Sequence, residues 1–350
     1  MTDKYYSNTE QDFCQSIRAG GVQKSRKWLN QCLFLLLALV TVSACNSIAP
    51  NQNQPINPQT DISDCKGVQH ALGETCVPTN PQRVIVLAGG LDTVLSLGVK
   101  PIGSTHIDTN RWYYLEDRLE GIESLGNPRS PNLEAITALK PDLILGLEAT
   151  DKENYVLLSQ IAPTVIAEIQ SSGDWKKMLS KYAEALGKTE KAEQIMTDYQ
   201  ARIEEFQAQM GDRLSQTEVS ILHVEPQLEI YLEDSFPATV VADAGLPRPS
   251  DQTSTESTFT MNISKELLHK ADGDIIFVWT SGRHEEIAED VQAALKELKA
   301  DPLWSQLNAV QQGQVYDVPG YWRGMGPIAA NLVLDDLFEH VVDLPSQAAQ

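Results

Sequence analysis

Positive charge is scarce in this sequence. Its 350 residues hold 27 Lys and Arg against 48 Asp and Glu, a formal net charge of −21. A chain this acidic has no electrostatic footprint for nucleic acid, and anionic lipid head groups would repel it. Histidine and cysteine are also sparse, at six and five residues. Direct capture of a metal ion needs three or four converging side chains, and only His106 and His223 fall near strand ends, with Glu148 or Glu225 as companions. No Gly-x-Ser-x-Gly elbow, Walker loop or His-Glu-x-x-His motif is present, so nothing points to an enzyme. Gly89-Gly90 alone is too little for a dinucleotide loop. No apolar run reaches the ~20 residues of a membrane span. What is present is ordinary globular composition, 42% hydrophobic and 21% charged, in a chain long enough for one large or two average domains.

The longest apolar run, Cys32 to Val42, follows Lys24, Arg26 and Lys27 and has the length of a signal-peptide core. Val42-Ser43-Ala44-Cys45 comes next and resembles the lipobox of bacterial lipoproteins, in which the chain is cut before the cysteine and the thiol is acylated. An ordinary export signal with an incidental cysteine is the alternative. Residues 1–45 thus read as a lipoprotein signal peptide and Cys45 as its lipidation site. The Asn-, Gln- and Pro-rich stretch to residue 62 reads as a flexible tether. Cys65 and Cys76 flank a hairpin pattern, and an exported chain favours a disulfide between them. Two cysteines without clustered histidines are too few for structural zinc.

From Pro81 onward short apolar runs alternate with helical segments. Arg83–Leu87, Val99–Gly103 and Leu143–Leu147 read as strands, with helices over Leu91–Leu97 and Leu133–Leu139. The order recurs as strand Val219–Val224, helix Ala238–Gly245, helix Lys265–Lys270 and strand Ile275–Trp279. At an offset of 132, Asn132, Glu134 and Asp142 fall on Ser264, Glu266 and Asp274. Between the halves lie two helices in series. The second spans about 23 residues, roughly 35 Å, long enough to be a strut. The expected fold is α/β, two αβ lobes joined by one long helix: residues 63–186 with a leading hairpin, a linking helix over 187–213, and a second lobe over 214–345. A cleft between such lobes is a favoured ligand site.

The segments RVIVLAGGLDTVLSLGVKPIGS, GNPRSPNLEAITALKPDLILGL, IAPTV, DPLWSQLNAVQQGQVYDVP and YWRGMGPIAANLVLDDL resemble, in order, the solute-binding proteins of ABC importers for ferric siderophores, over about residues 80–342. The resemblance implies a periplasmic, lipid-anchored monomer that delivers a ferric siderophore to a permease dimer with its ATPase subunits. No cofactor is implied, because the chelator holds the iron. Metal-ion, haem or cobalamin binding is the alternative within the same fold.

A wrapped chelate calls for aromatic walls and arginines, whose planar forks pair with carboxylate or phenolate oxygens. The resemblance places Arg129 in a chelate-binding loop and the ring of Trp322 against the chelate, with Tyr321 and Arg323 in the same glycine-bearing loop. Arg111 and Trp112 form an unusual cation–aromatic cluster with Tyr113 and Tyr114. Trp279 and Arg283 lie where a second-lobe strand ends, and strand ends feed the cleft in such sheets. Packing inward, or a solvated loop charge, is the competing reading for each. Trp304 reads as core. Glu134 and Glu266 complement helix N-termini, and the resemblance gives them docking contacts with the permease.

Overall fold

The computed structural model of the chain describes residues 65–105, 110–225, 227–253, 258–280 and 285–342, with the backbone alone at 110–111, 285–288 and 290. The signal segment over 1–45 with Cys45, the tether over 46–62, and Arg283 lie outside the described residues, as does the side chain of Arg111.

Strands β1 (Cys65–His70) and β2 (Gly73–Pro78) form an antiparallel hairpin closed by the Cys65–Cys76 disulfide. The first lobe is a parallel sheet built on β3 (Val84–Val86), which leads into helix α1 (Leu91–Ser96). β4 (Gly103–Ser104) and β5 (Glu123–Ser124) extend one side. Beyond β5, the two-residue strands β6 (Gly126–Asn127) and β7 (Ser130–Pro131) pair across a tight turn and lead into helix α2 (Leu133–Leu139). On the other side of β3 lie β8 (Leu143–Leu147) and β9 (Thr164–Ala167), giving the order β5-β4-β3-β8-β9. Every residue of β3, β8 and β9 is buried, as expected of parallel strands covered on both faces. The hairpin covers the β9 edge: Ala71 N–H donates to Ile166 O at 3.0 Å and Thr75 Oγ1 to Thr164 O at 2.9 Å.

Helix α3 (Trp175–Leu186) ends at Gly187, whose φ of +67° supplies the left-handed stop. Helix α4 (Thr189–Met210) then runs 22 residues, about 33 Å. Its inner face buries Tyr199, Ile203, Phe206 and Met210, each worth roughly 1.5–3 kcal/mol. The second lobe follows as β10 (Val219–Val224), β11 (Leu228–Tyr231), helix α5 (Phe236–Asp243), β12 (Thr260–Ile263), β13 (Ile275–Thr280), helix α6 (Glu285–Lys299), β14 (Val315–Val318) and the closing helix α7 (Pro327–Leu337). Its sheet has the order β12-β11-β10-β13-β14, with β10, β13 and β14 parallel and β11 and β12 antiparallel.

The internal match at offset 132 has a structural counterpart. Ahead of β8, Asp142 accepts the backbone N–H groups of Gln82 and Arg83 at 2.7 and 2.8 Å; ahead of β13, Asp274 accepts that of Glu218 at 2.8 Å. Both aspartates pin a strand to the start of its parallel neighbour. Asn132 caps α2 by accepting the Ala135 N–H at 3.0 Å. The second copy, Lys265–Ala271, is a 3₁₀ segment kinked at Leu267 rather than an α-helix.

The linking helix does not join the lobes alone. A single buried core runs from Val84 and Leu91 through Trp175 and Phe206 to Phe236, Phe277 and Val333, with contributions from both sheets, α3, α4 and α7. Asp243, at the end of α5, accepts from Tyr199 Oη at 2.9 Å and Lys176 Nζ at 2.6 Å, which ties the second lobe to α4 and α3. Two smaller cores fill the outer faces of the two sheets. Sharing a core across the lobe boundary restricts wide hinge motion, because packed interiors deform little.

Candidate functional site

The carboxyl ends of the parallel strands carry the site. At the first lobe a cleft of about 520 Å³ is lined by residues following β3 (Ala88), β8 (Leu147, Thr150) and β9 (Ile169, Ser172), by Arg129, and by Met325. Ala88 holds φ at +48°, uncommon for a non-glycine residue, and its N–H donates to Thr105 Oγ1 at 2.8 Å. Arg129 sits at the β6–β7 turn, where its N–H donates to Asn127 Oδ1 at 2.9 Å; Pro128 is buried and the arginine exposed. This Asx-type bond fixes the turn from which the guanidinium projects. Beneath Thr150 the carboxylate of Asp151 is fully buried, accepting the Leu147 N–H at 2.8 Å and the Thr150 hydroxyl at 2.9 Å. Burial raises its pKa to about 6. The floor is shared with the second lobe: Phe236 N–H donates to Ser172 Oγ at 2.9 Å and Gly173 N–H to Asp234 O at 3.0 Å. A Cβ at Gly173 would lie 2.6 Å from that carbonyl, so the approach requires glycine.

The corresponding strand ends of the second lobe carry an aromatic group. His223, from β10, stacks on Trp279, from β13, at 3.7 Å between centroids and 8° between planes. Tyr231 meets both rings edge-on at 5.9 and 5.4 Å. Phe259 lies 6.0 Å from Tyr231 and is 41% exposed. The guanidinium of Arg323, an exposed residue, sits 5.8 Å from the Trp279 ring centroid, within cation–π range. His223 Nδ1 is 3.1 Å from Glu229 and its Nε2 3.3 Å from Glu225. Burial lowers its pKa; the two carboxylates pull it back up, and Arg323 adds to the lowering.

Met325 lines the Arg129 cleft and Arg323 lies over Trp279. One short loop between β14 and α7 therefore touches both walls.

Trp322 is not on either wall. It is fully buried, its ring centroid 4.5 Å from that of Phe277, and Nε1 donates to Asp336 Oδ2 at 2.6 Å. The expectation that it faces a chelate fails in this conformation. The 3₁₀ turn Gly320–Arg323 sends Trp322 to its indole acceptor inside and Arg323 out. Trp112 is likewise fully buried, and Trp279, expected to reach the cleft from its strand end, is only 1% exposed among His223, Tyr231 and Arg323, so neither ring presents surface to a ligand. Tyr114 packs edge-on against Tyr321 at 6.2 Å, and Tyr321 Oη donates to Asp336 Oδ1 at 2.9 Å. The Trp112–Tyr114 and Gly320–Arg323 segments thus close a seam between the lobes. Trp304 is core, as expected. Glu134 and Glu266 are exposed in the first turns of α2 and of the 265–271 segment. Hydrogen bonds from the Ser264 hydroxyl and its own backbone N–H hold Glu266 below its ordinary pKa. Sequence reasoning missed Tyr231, Phe259 and Met325, and saw His223 only as a metal ligand. Among the described residues, no group of three or more His, Cys, Asp or Glu is placed to hold a metal ion.

A family model described as periplasmic binding protein matches residues 84–321, which takes in the strand ends of both lobes and stops just short of Arg323 and Met325. The chain belongs to this family. Its members and the relatives below bind substrates and are not enzymes. A probable siderophore-binding lipoprotein of Bacillus subtilis (strain 168) is 32% identical over 323 residues, 89% of this chain and 97% of its own. An achromobactin-binding periplasmic protein of Dickeya dadantii (strain 3937) is 32% identical over 268 residues, 73% and 85% of the two chains. Among solved structures, Staphylococcus aureus SirA complexed with staphyloferrin B superposes with a TM-score of 0.71 at 27% identity, covering 79% of this chain and 98% of that one. No helix among the described residues of this periplasmic binding protein is long and apolar enough to cross a membrane.

Proposed function

We propose that the protein is the extracytoplasmic substrate-binding component of an ABC importer and takes a ferric siderophore into the cleft between its lobes. The observation that carries this reading is the loop that sets Arg323 over Trp279 while placing Met325 in the Arg129 cleft. Two exposed guanidinium groups and a cleft lined by aliphatic and small polar residues suit an anionic chelate wrapped in organic shell: the forks pair with carboxylate or phenolate oxygens and the apolar surfaces take the scaffold. The iron stays with its chelator and needs no protein ligand. Names of the relatives support the ligand class.

Delivery then requires a permease dimer with its ATPase subunits. Glu134 and Glu266, one exposed carboxylate per lobe, would meet cationic groups of that permease. Acylation of Cys45 would anchor the protein, as a monomer, to a membrane facing the periplasm. The test is native mass spectrometry of the protein purified from its own cells grown under iron limitation. A bound iron–chelator mass supports the reading, and a bound haem, corrinoid or bare metal ion refutes it.

A further inference from the structure

Asp92, in the first turn of α1, is fully buried, and its carboxylate serves the far end of the chain. Its Oδ1 accepts the Ile328 N–H at 2.9 Å and its Oδ2 the Ala329 N–H at 2.9 Å. Tyr114 Oη donates to the same Oδ2 at 2.9 Å. The two amides belong to the first turn of α7, whose own N-cap residue is Gly326 with Pro327 behind it, and no side chain of the N-cap closes the helix. Open N–H groups at a helix start need an acceptor. Here the acceptor comes from 236 positions earlier in the sequence and from the other lobe. Gly326 makes room for it: a Cβ there would lie 2.4 Å from Asp92 Oδ1.

The segment that ends at this cap is the loop of the cleft. At its near end Asp336, on α7, holds Tyr321 and Trp322. Gly324 N–H donates to Tyr321 O at 2.7 Å, and a Cβ on Gly324 would lie 2.2 Å from the Cβ of Ala329. Tyr114 links the two systems, donating to Asp92 and packing on Tyr321. The loop is therefore clamped from one lobe by Asp92 and from the other by Asp336.

We infer that Asp92 is a positioning residue of the cleft: by capping α7 across the lobe boundary it fixes the Gly320–Gly326 loop, and so sets Arg323 against Trp279 and Met325 in the cleft that Arg129 also lines. Its consequence for ligand affinity rests on the function proposed above; the placement of the loop can be tested without a ligand.

The experiment labels the full chain with 5-fluorotryptophan and follows the ¹⁹F resonance of Trp279, assigned through Trp279→Phe. Asp92→Asn leaves a carboxamide N–H₂ facing donors, and Gly326→Ala forces the carboxylate away while keeping its charge. Both are expected to move the Trp279 resonance and to leave that of Trp304, in the outer core of the second lobe, in place. Asp272→Ala is the control. That aspartate caps the Asn308–Gln311 helix through the N–H groups of Asn308 and Ala309 at 2.8 and 3.2 Å, so its loss costs a cap of the same kind without touching the loop. If Asp92→Asn does not fold, Tyr114→Phe removes only one of the three donors and is expected to give a smaller shift of the same resonance. An unmoved Trp279 resonance in the folded variants, or an equal shift in Asp272→Ala, overturns the inference. Affinity for a ferric α-hydroxycarboxylate or ferric catecholate probe is expected to fall about tenfold in Asp92→Asn, ~1.4 kcal/mol. Should wild-type protein bind neither probe, the proposed ligand class fails while the ¹⁹F result still decides the role of Asp92.

Discussion

Truncating Asp336 to alanine tests whether the loop between β14 and α7 is held from inside. The carboxylate is 8% exposed and accepts two hydrogen bonds, from Trp322 Nε1 at 2.6 Å and Tyr321 Oη at 2.9 Å. Burial raises its pKa despite both bonds, so part of what is lost on truncation is returned as relieved desolvation. Hydrogen bonds to a charged group are worth about 1.5–3 kcal/mol each, and the fully buried indole N–H left behind costs about 1–3 kcal/mol. Setting the two losses against the relief gives a net cost of about 3 kcal/mol. Unfolding entropy of ~2.1 cal/mol/K per residue over the described fold makes this a fall of roughly 5 °C in melting temperature. Differential scanning calorimetry at neutral pH measures it. The adjacent Asp335 is the internal reference. It is 59% exposed and pairs with Arg202, and exposed pairs contribute about 0–1 kcal/mol, so Asp335→Ala is expected to shift melting by less than about 2 °C. An Asp336→Ala protein that melts within about 1 °C of wild type, or an Asp335→Ala protein that loses as much, would show that the loop is not held by the Asp336 carboxylate.

Asp151 gives a pH signature. Its pKa is about 6 in the fold against 3.8 for a free side chain, so between those values the native state holds a proton that the unfolded chain has released. Stability from this group therefore falls as pH rises from about 4 to 6, by roughly 3 kcal/mol in all. Asp151→Asn is expected to remove that slope in urea titrations at successive pH values, and parallel wild-type and variant curves would contradict it. Replacing Cys65 and Cys76 together by serine opens a loop of sequence separation 11, and chain entropy puts the cost at about 3 kcal/mol. Equilibrium unfolding that is indifferent to the replacement would show the hairpin to be held by its contacts with β9 alone.

Much of the framework was legible because it depends on short-range pattern. The runs Leu143–Leu147 and Val219–Val224 are the observed strands residue for residue, and every position in both is buried; in the second, Ser220 and His223 are the buried polar exceptions to an otherwise apolar pattern. The Asp142–Asp274 correspondence emerged because both aspartates do one local job, bonding the amides that start a neighbouring strand. The site was legible only in part. Arg129 lines the cleft and Arg323 is exposed over Trp279, whereas Trp322, Trp112 and Trp279 went inward. An aromatic residue in a glycine-bearing loop fits either side, and what decides for Trp322 is an acceptor 14 residues further on. Strands β11 and β12 escaped notice, and Tyr231 and Phe259 with them, because their pairing is antiparallel and departs from the repeated αβ order. Asp92 was out of reach for a simpler reason: hydrophobic periodicity reports that a position is buried, not that its carboxylate serves a helix 236 residues away.

Arg129 and Arg323 are proposed to grip the organic shell of an iron complex. Isothermal titration calorimetry of ligand-stripped protein tests it most directly, with a ferric α-hydroxycarboxylate chelate, a ferric catecholate, each chelator without iron, and iron from a weak labile complex. We expect saturable binding of one ferric chelate with a Kd below about 1 µM, roughly −8 kcal/mol, weakened at least ~100-fold by combining Arg129→Ala with Arg323→Ala. Undiminished chelate binding by that double variant, or saturable uptake of iron without its chelator, would contradict the claim.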